Sequence, residues 1–169
     1  MGAGKSTVGK ELARRMNYRF IDSDSYIENK EQMSIPAIFQ QKGEQYFRQI
    51  EHETLMEITG LNESLILSTG GGAPCFMDNM ELLKSSGLTI YLKLEPAIIF
   101  HRLTRAQKKN RPLIENKSPG QLMQFIIDKL NEREPVYNLS HIIVPGENLN
   151  IYGLEKRIKS YIADPPAHS

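Results

Sequence analysis

The chain has no tryptophan and a single cysteine, Cys75, among its 169 residues. An internal disulfide is therefore excluded, and the thiol reads as a small buried hydrophobe in a reducing compartment. No apolar run approaches the roughly 18 residues a membrane span requires, and no basic-then-apolar leader opens the chain, so a soluble, unexported, cytoplasmic protein is expected. Neither sign of charge is in excess. Lys and Arg total 21 against 20 Asp and Glu, for a net charge of +1, and no aromatic-basic platform accompanies them, so neither nucleic acid nor an anionic membrane is an expected partner. Internal repeats, low-complexity tracts and linker-like stretches are also missing. With 40% hydrophobic and 24% charged residues, the composition is that of an ordinary globular protein, long enough for one substantial core. The expectation is one domain over residues 1–169 and a monomer.

What the chain does have begins at once. Met1-Gly2-Ala3-Gly4-Lys5-Ser6-Thr7 contains the end of the phosphate-cradling motif G-x-x-x-x-G-K-[ST]. Glycines allow the backbone to approach phosphate oxygens, successive N–H groups point inward, and the following helix presents its positive end. Lys5 suits the β- and γ-phosphates of a nucleotide and Ser6 suits Mg²⁺. The motif is incomplete, because its first glycine falls ahead of Met1.

Apolar segments of strand length then alternate with helical patterns. Val8, Leu12, Ala13 and Met16 recur at helical spacing. Strands are expected over residues 18–22, 65–68, 89–94 and 141–144. Helices are expected over 34–41, 43–59, 78–86, 96–103, 118–133 and 149–162, with a polar, basic insertion at 104–117 and a frayed tail at 164–169. Strands separated by helices imply right-handed crossovers and a mainly parallel sheet covered on both faces. Ligands of such sheets gather beyond the carboxyl ends of the strands.

Three features lie at those ends. Asp22-Ser23-Asp24 places two acids two residues apart, one suited to a metal and the other to a substrate hydroxyl, with Ser23 read as a helix N-cap. The strand over 65–68 ends without the acid that usually supports Mg²⁺ in phosphate-loop proteins, which makes Asp22 its nearest replacement. Gly70-Gly71-Gly72 carries more conformational freedom than a turn requires. It reads equally as a flexible connection or as backbone brought close to a bound small molecule, with N–H groups free to donate. The third feature is a set of arginines: Phe47-Arg48 with Glu51 one turn on, Arg111-Pro112-Leu113, and Arg133 followed by Pro135 and Tyr137. A guanidinium fork suits carboxylate or phosphate, and a glutamate at i+3 can hold Arg48 in its rotamer.

In order and spacing these motifs together resemble the shikimate kinase family, from Met1 to about residue 154. The resemblance implies a P-loop kinase of nucleoside-monophosphate-kinase-like α/β fold, a three-layer sandwich with a central parallel sheet and a mobile lid at about 104–117. It implies transfer of the γ-phosphoryl group of ATP to the 3-hydroxyl of shikimate, on the route to aromatic amino acids. Gly2, Ala3, Gly4, Lys5, Ser6 and Thr7 then hold the nucleotide, Ser6 ligates Mg²⁺, and Asp22 supports the metal through water. Asp24 lies against the reacting hydroxyl. Arg48, Arg133 and the run Gly70, Gly71, Gly72 hold the substrate, the two arginines taking its carboxylate. Arg111, in the lid, closes on the phosphates. The loop at 145–148 lies on the adenine side, and a further nucleotide-contacting arginine is either Arg102 or Arg105.

The chain departs from that family in one respect. Members have a hydrophobic strand of about six residues and a G-x ahead of the position of Met1. That strand is central in the family's order, so without it the neighbouring strands are left with unpaired edges and a slot in the core. A true start upstream is the expected explanation, with an impaired chain as the other. Two further readings are a gluconate-type kinase of the same fold, against which the paired Arg48 and Arg133 favour an acidic cyclic substrate, and a non-catalytic nucleotide-binding protein.

Overall fold

Residues 2–105 and 117–164 are described by a computed structural model of the chain. After a loop in which Gly2 and Gly4 take φ of +65° and +82°, α1 (Lys5–Met16) leads to β1 (Arg19–Asp22), α2 (Ser23–Glu31) and the long α3 (Ile35–Thr59). There follow β2 (Leu65–Ser68), a short 3₁₀ turn (Ala73–Cys75), α4 (Asn79–Ser86), β3 (Ile90–Lys93) and α5 (Pro96–Arg105). α6 (Pro119–Tyr137), β4 (Ile142–Pro145) and α7 (Ile151–Ala163) complete the described chain. The expected lid falls largely on residues outside those described, and so does Arg111. Among the described residues, no helix is long and apolar enough to cross a membrane.

The pairings are parallel, as the alternation of strands and helices requires. Asp22 lies opposite Ser68 at the end of β1 and β2, and Lys93 lies opposite Pro145 at the end of β3 and β4. The described strands form two separate pairs, β1 with β2 and β3 with β4, rather than one continuous sheet. Among the described residues each strand thus has one edge without a paired strand. A cavity of about 110 Å³ is lined by Ile90, Tyr91 and Leu92 of β3 and by Thr69, Gly70 and Lys5.

Helices bind the two pairs together. Leu12 of α1 joins Leu92, Ile142, Val144, Leu154 and Ile158 in one buried cluster, against which Ile66 of β2 also packs. A second cluster joins α5 to α6 through Ile99, Leu103, Leu122 and Ile126, and a third joins α2 to α3 through Ile27, Ile38 and Phe47. At Gly9, α1 lies so close to the first strand pair that a Cβ would stand 2.7 Å from the Phe20 ring and 3.0 Å from Ser68 Oγ. Only glycine permits that approach.

At Gly43, φ 83° and ψ 171° kink α3 at the point where the pattern separates two helices, so the expected break is present. α6 continues past Pro135 to Tyr137, a turn beyond the expected end at Arg133. Proline lacks an N–H and usually ends a helix, but the Asn138 amide bonds to Glu134 O and the last turn closes behind it.

Candidate active site

The loop at Gly2–Gly4 reaches α1 with Gly4 as a left-handed N-cap that provides no side-chain bond, and the amino end of a helix is where an anion is favoured. Exposed Ser6 donates to Asp22 Oδ2 at 2.6 Å, joining the start of α1 to the end of β1. Arg102 clasps the loop from below. Its Nη1 donates to Ala3 O at 3.1 Å and Gly2 O at 3.4 Å, while Nη2 donates to Gly146 O at 3.2 Å. Of the two candidate arginines, Arg102 therefore joins the phosphate loop to the loop after β4, whereas Arg105 is exposed at the end of α5.

Asp22, rather than Ser23, caps α2, accepting from Ser25 N at 3.3 Å. This corrects the expectation for Ser23. Its side chain is 1% exposed and accepts the Gly70 amide at 2.9 Å. The reason is the tight junction of β1 and α2, which starts the helix at Ser23 and turns that hydroxyl toward the glycine run. Asp24 follows in the first turn. Burial, then the neighbouring Asp22, push its carboxyl above the ordinary value, with Lys5 opposing them. The two acids and the lysine thus act on one another.

The glycine run packs on these groups. A Cβ at Gly70 would lie 2.7 Å from Asp24 Oδ1 and 2.9 Å from Glu51 Oε1, so any larger residue would force both carboxylates away. The Gly70 N–H is already bonded to Ser23, and its carbonyl accepts from Ala73 N. The expectation of an amide free to donate fails at that residue. Gly71 O accepts from the Tyr137 hydroxyl.

Arg48 is held on three sides. It donates to Glu51 at 2.7 Å and Glu44 at 3.0 Å, and its guanidinium lies 3.7 Å from the centre of the Phe76 ring. Burial raises the Glu51 carboxyl above its ordinary value, and the Arg48 hydrogen bond works against that rise. Arg133, from α6, lines the cavity with Lys5, Gly70, Gly71 and Tyr137. Its Nε is buried without a hydrogen-bond partner among the described residues. Tyr91 lines the same cavity, and burial and the nearby Glu134 push its phenol up to about 12, so it stays protonated.

The structure therefore gathers Lys5, Asp22, Asp24, Arg48, Arg133 and the glycine run at one end of the first strand pair. Arg111 lies outside the described residues. Sequence reasoning gave Ser23 only a capping role, and passed over Asn79, Phe76 and the hydroxyl of Tyr137. For Tyr137 the signal was available in its i+4 spacing from Arg133, and Pro135 hid it by suggesting a helix end.

A phosphate-type loop feeding a helix, parallel strands, and Lys5 and Arg133 in one small cavity are the features of a P-loop kinase acting on a small metabolite. The shikimate kinase family model matches residues 1–162. A shikimate kinase of Phocaeicola vulgatus is 43% identical over 149 residues, 88% of this chain and 84% of its own. The crystal structure of shikimate kinase from Bacteroides thetaiotaomicron aligns with a TM-score of 0.87 at 39% identity, over 96% of this chain and 94% of that one. A shikimate kinase from Acinetobacter baumannii in complex with shikimate aligns with a TM-score of 0.82 at 35% identity, over 99% and 91%. The chain belongs to the shikimate kinase family.

Proposed function

We propose that this site carries out its family's reaction, ATP-dependent phosphorylation of the shikimate 3-hydroxyl, with the residue roles that follow. The observation that supports them most directly is the partnerless Arg133 Nε in the cavity that also contains Lys5, Gly70 and Gly71. A buried cationic donor left without an acceptor is costly unless a ligand supplies one, and a carboxylate meets a guanidinium with two parallel bonds. Arg133 and Arg48 take the substrate carboxylate. The rigid hold of Glu51, Glu44 and Phe76 on Arg48 fixes where that carboxylate sits.

Asp24 orients the 3-hydroxyl and accepts its proton. Its raised affinity for a proton, due first to burial, suits a base. Lys5 and the first-turn amides of α1 receive the phosphates, and Arg111 closes on them from the lid. Arg102 ties the phosphate loop at Ala3 O to the adenine-side loop at Gly146 O. Phosphoryl transfer passes through a loose transition state, so these residues act by positioning and by answering charge that spreads over the transferring oxygens.

Ser6 Oγ and Asp22 Oδ2, 2.6 Å apart, are hard oxygen donors beside the phosphate loop and suit Mg²⁺, which takes one or two protein oxygens and completes its shell with water and phosphate. A bound divalent ion would neutralise charge on the β- and γ-oxygens. The chain acts as one domain and a monomer, without nucleic acid or membrane as partner.

The test is coupled ADP release with shikimate and gluconate offered in parallel. Turnover with shikimate alone is expected. Equal turnover with gluconate, an open-chain carboxylate, would show that the site selects for the carboxylate and not for the ring, and no turnover with either would leave a nucleotide-binding protein. Arg111→Ala is expected to lower kcat by orders of magnitude with unchanged melting temperature; unchanged steady-state kinetics would remove Arg111 from the mechanism.

A further inference from the structure

The polar atoms that hold the glycine run in place belong to side chains outside the proposed chemistry. At its start, the Gly70 amide donates to Ser23 Oγ at 2.9 Å. At its end, Asn79, with no exposed surface, donates through Nδ2 to Ala73 O at 2.8 Å. Its Oδ1 lies 2.6 Å from His52 Nδ1, so His52 on α3 sets the orientation of the amide. The loop between has little holding power of its own, because glycine backbone is free to rearrange. We propose that Ser23 is a positioning residue for the acceptor substrate: its buried hydroxyl locks the Gly70–Ala73 loop to the segment carrying Asp24, with Asn79 as the second anchor.

The consequences run through contacts already described. Gly70 lies against the Asp24 and Glu51 carboxylates, Glu51 holds Arg48, and Gly71 O is bonded by Tyr137, one turn beyond Arg133 on α6. A loop that drifts away from Ser23 therefore loosens each proposed contact to shikimate together. The nucleotide side is tied elsewhere, by Ser6 to Asp22 and by Arg102 to Gly2, Ala3 and Gly146. Removing the Ser23 hydroxyl leaves those bonds intact.

This inference rests on the shikimate reading, and the experiment separates the two. Steady-state kinetics of wild type, Ser23→Ala and Ser23→Thr are measured with each substrate varied in turn, alongside thermal melts. Loss of one buried hydrogen bond corresponds to a change of about fivefold to tenfold. The expected result is a rise of that size in KM for shikimate in Ser23→Ala, with KM for ATP within about twofold of wild type and the melt shifted by only a few degrees. Ser23→Thr, which keeps the hydroxyl, is expected to restore the shikimate KM. Asn79→Ala is expected to show the same split between substrates. An unchanged shikimate KM in Ser23→Ala, equal rises in both KM values, a Ser23→Thr variant as impaired as Ser23→Ala, or a Ser23→Ala chain that does not fold would each overturn the positioning role. A wild type inactive toward shikimate would overturn the parent reading instead.

Discussion

The two strand pairs are built from similar residues and end very differently. Beyond β1 and β2 lie Asp22, Ser23, Asp24 and the glycine run, and the buried polar residues Ser23, Glu51, Thr54, Ser68 and Asn79 cluster in that half of the sequence. Beyond β3 and β4 the chain closes on itself. Gly146 N bonds back to Lys93 O, Lys93 pairs with Glu134 at 2.5 Å, and among the described residues the only buried polar side chain there is Glu155. Burying polar groups is costly unless each is bonded. Their concentration at one pair marks where the fold accepts that cost to hold chemistry, while the other pair works as an apolar buttress.

Substitutions in the two halves should therefore separate kinetics from stability. The largest effect is expected from Asp24→Asn, which should lower kcat by about 10²–10⁴-fold with little loss of shikimate binding. Next, Leu154→Ala in the cluster behind β3 and β4 should cost about 2–5 kcal/mol in urea unfolding and leave both KM values alone. A shifted KM would break the division. Gly9→Ala, whose new methyl meets Phe20 at 2.7 Å, should cost about 1–3 kcal/mol.

The smallest effect concerns pH. The folded state holds the Asp24 proton more tightly than the unfolded chain, whose ordinary value is 3.8. Ionised Asp24 thus weakens the fold above its raised pKa, and the penalty vanishes below 3.8. Asp24→Asn should be more stable than wild type near neutral pH, with the gain lost on acidification through that window. Wild-type turnover should fall in the same acid direction as Asp24 gains its proton. A pH-independent difference in stability between the two proteins would show that burial of Asp24 is not the cause.

Much of this was legible in the residues. Helical spacing from Val8 to Met16 located α1, and the run at 65–68 coincides with β2. The resemblance supplied the family and the candidate residues, since order and spacing survive in one dimension. What stayed hidden was set by packing. Nothing local to Ser23 says that its hydroxyl turns inward to Gly70, because a serine after a strand usually caps a helix and only the geometry of the β1–α2 junction gives that place to Asp22. The Asn79 bond to Ala73 and the seat of Arg48 on Phe76 likewise depend on tertiary approach. The 3₁₀ turn at Ala73–Cys75 was invisible for the same reason, and its position leaves Cys75, expected to be buried, only partly so.

The Arg102 clasp has a consequence for motion. One guanidinium holds the carbonyls of Gly2, Ala3 and Gly146, so the phosphate loop and the loop after β4 should open as one unit, and in an Arg102→Ala chain the amides of both loops should take up deuterium faster together.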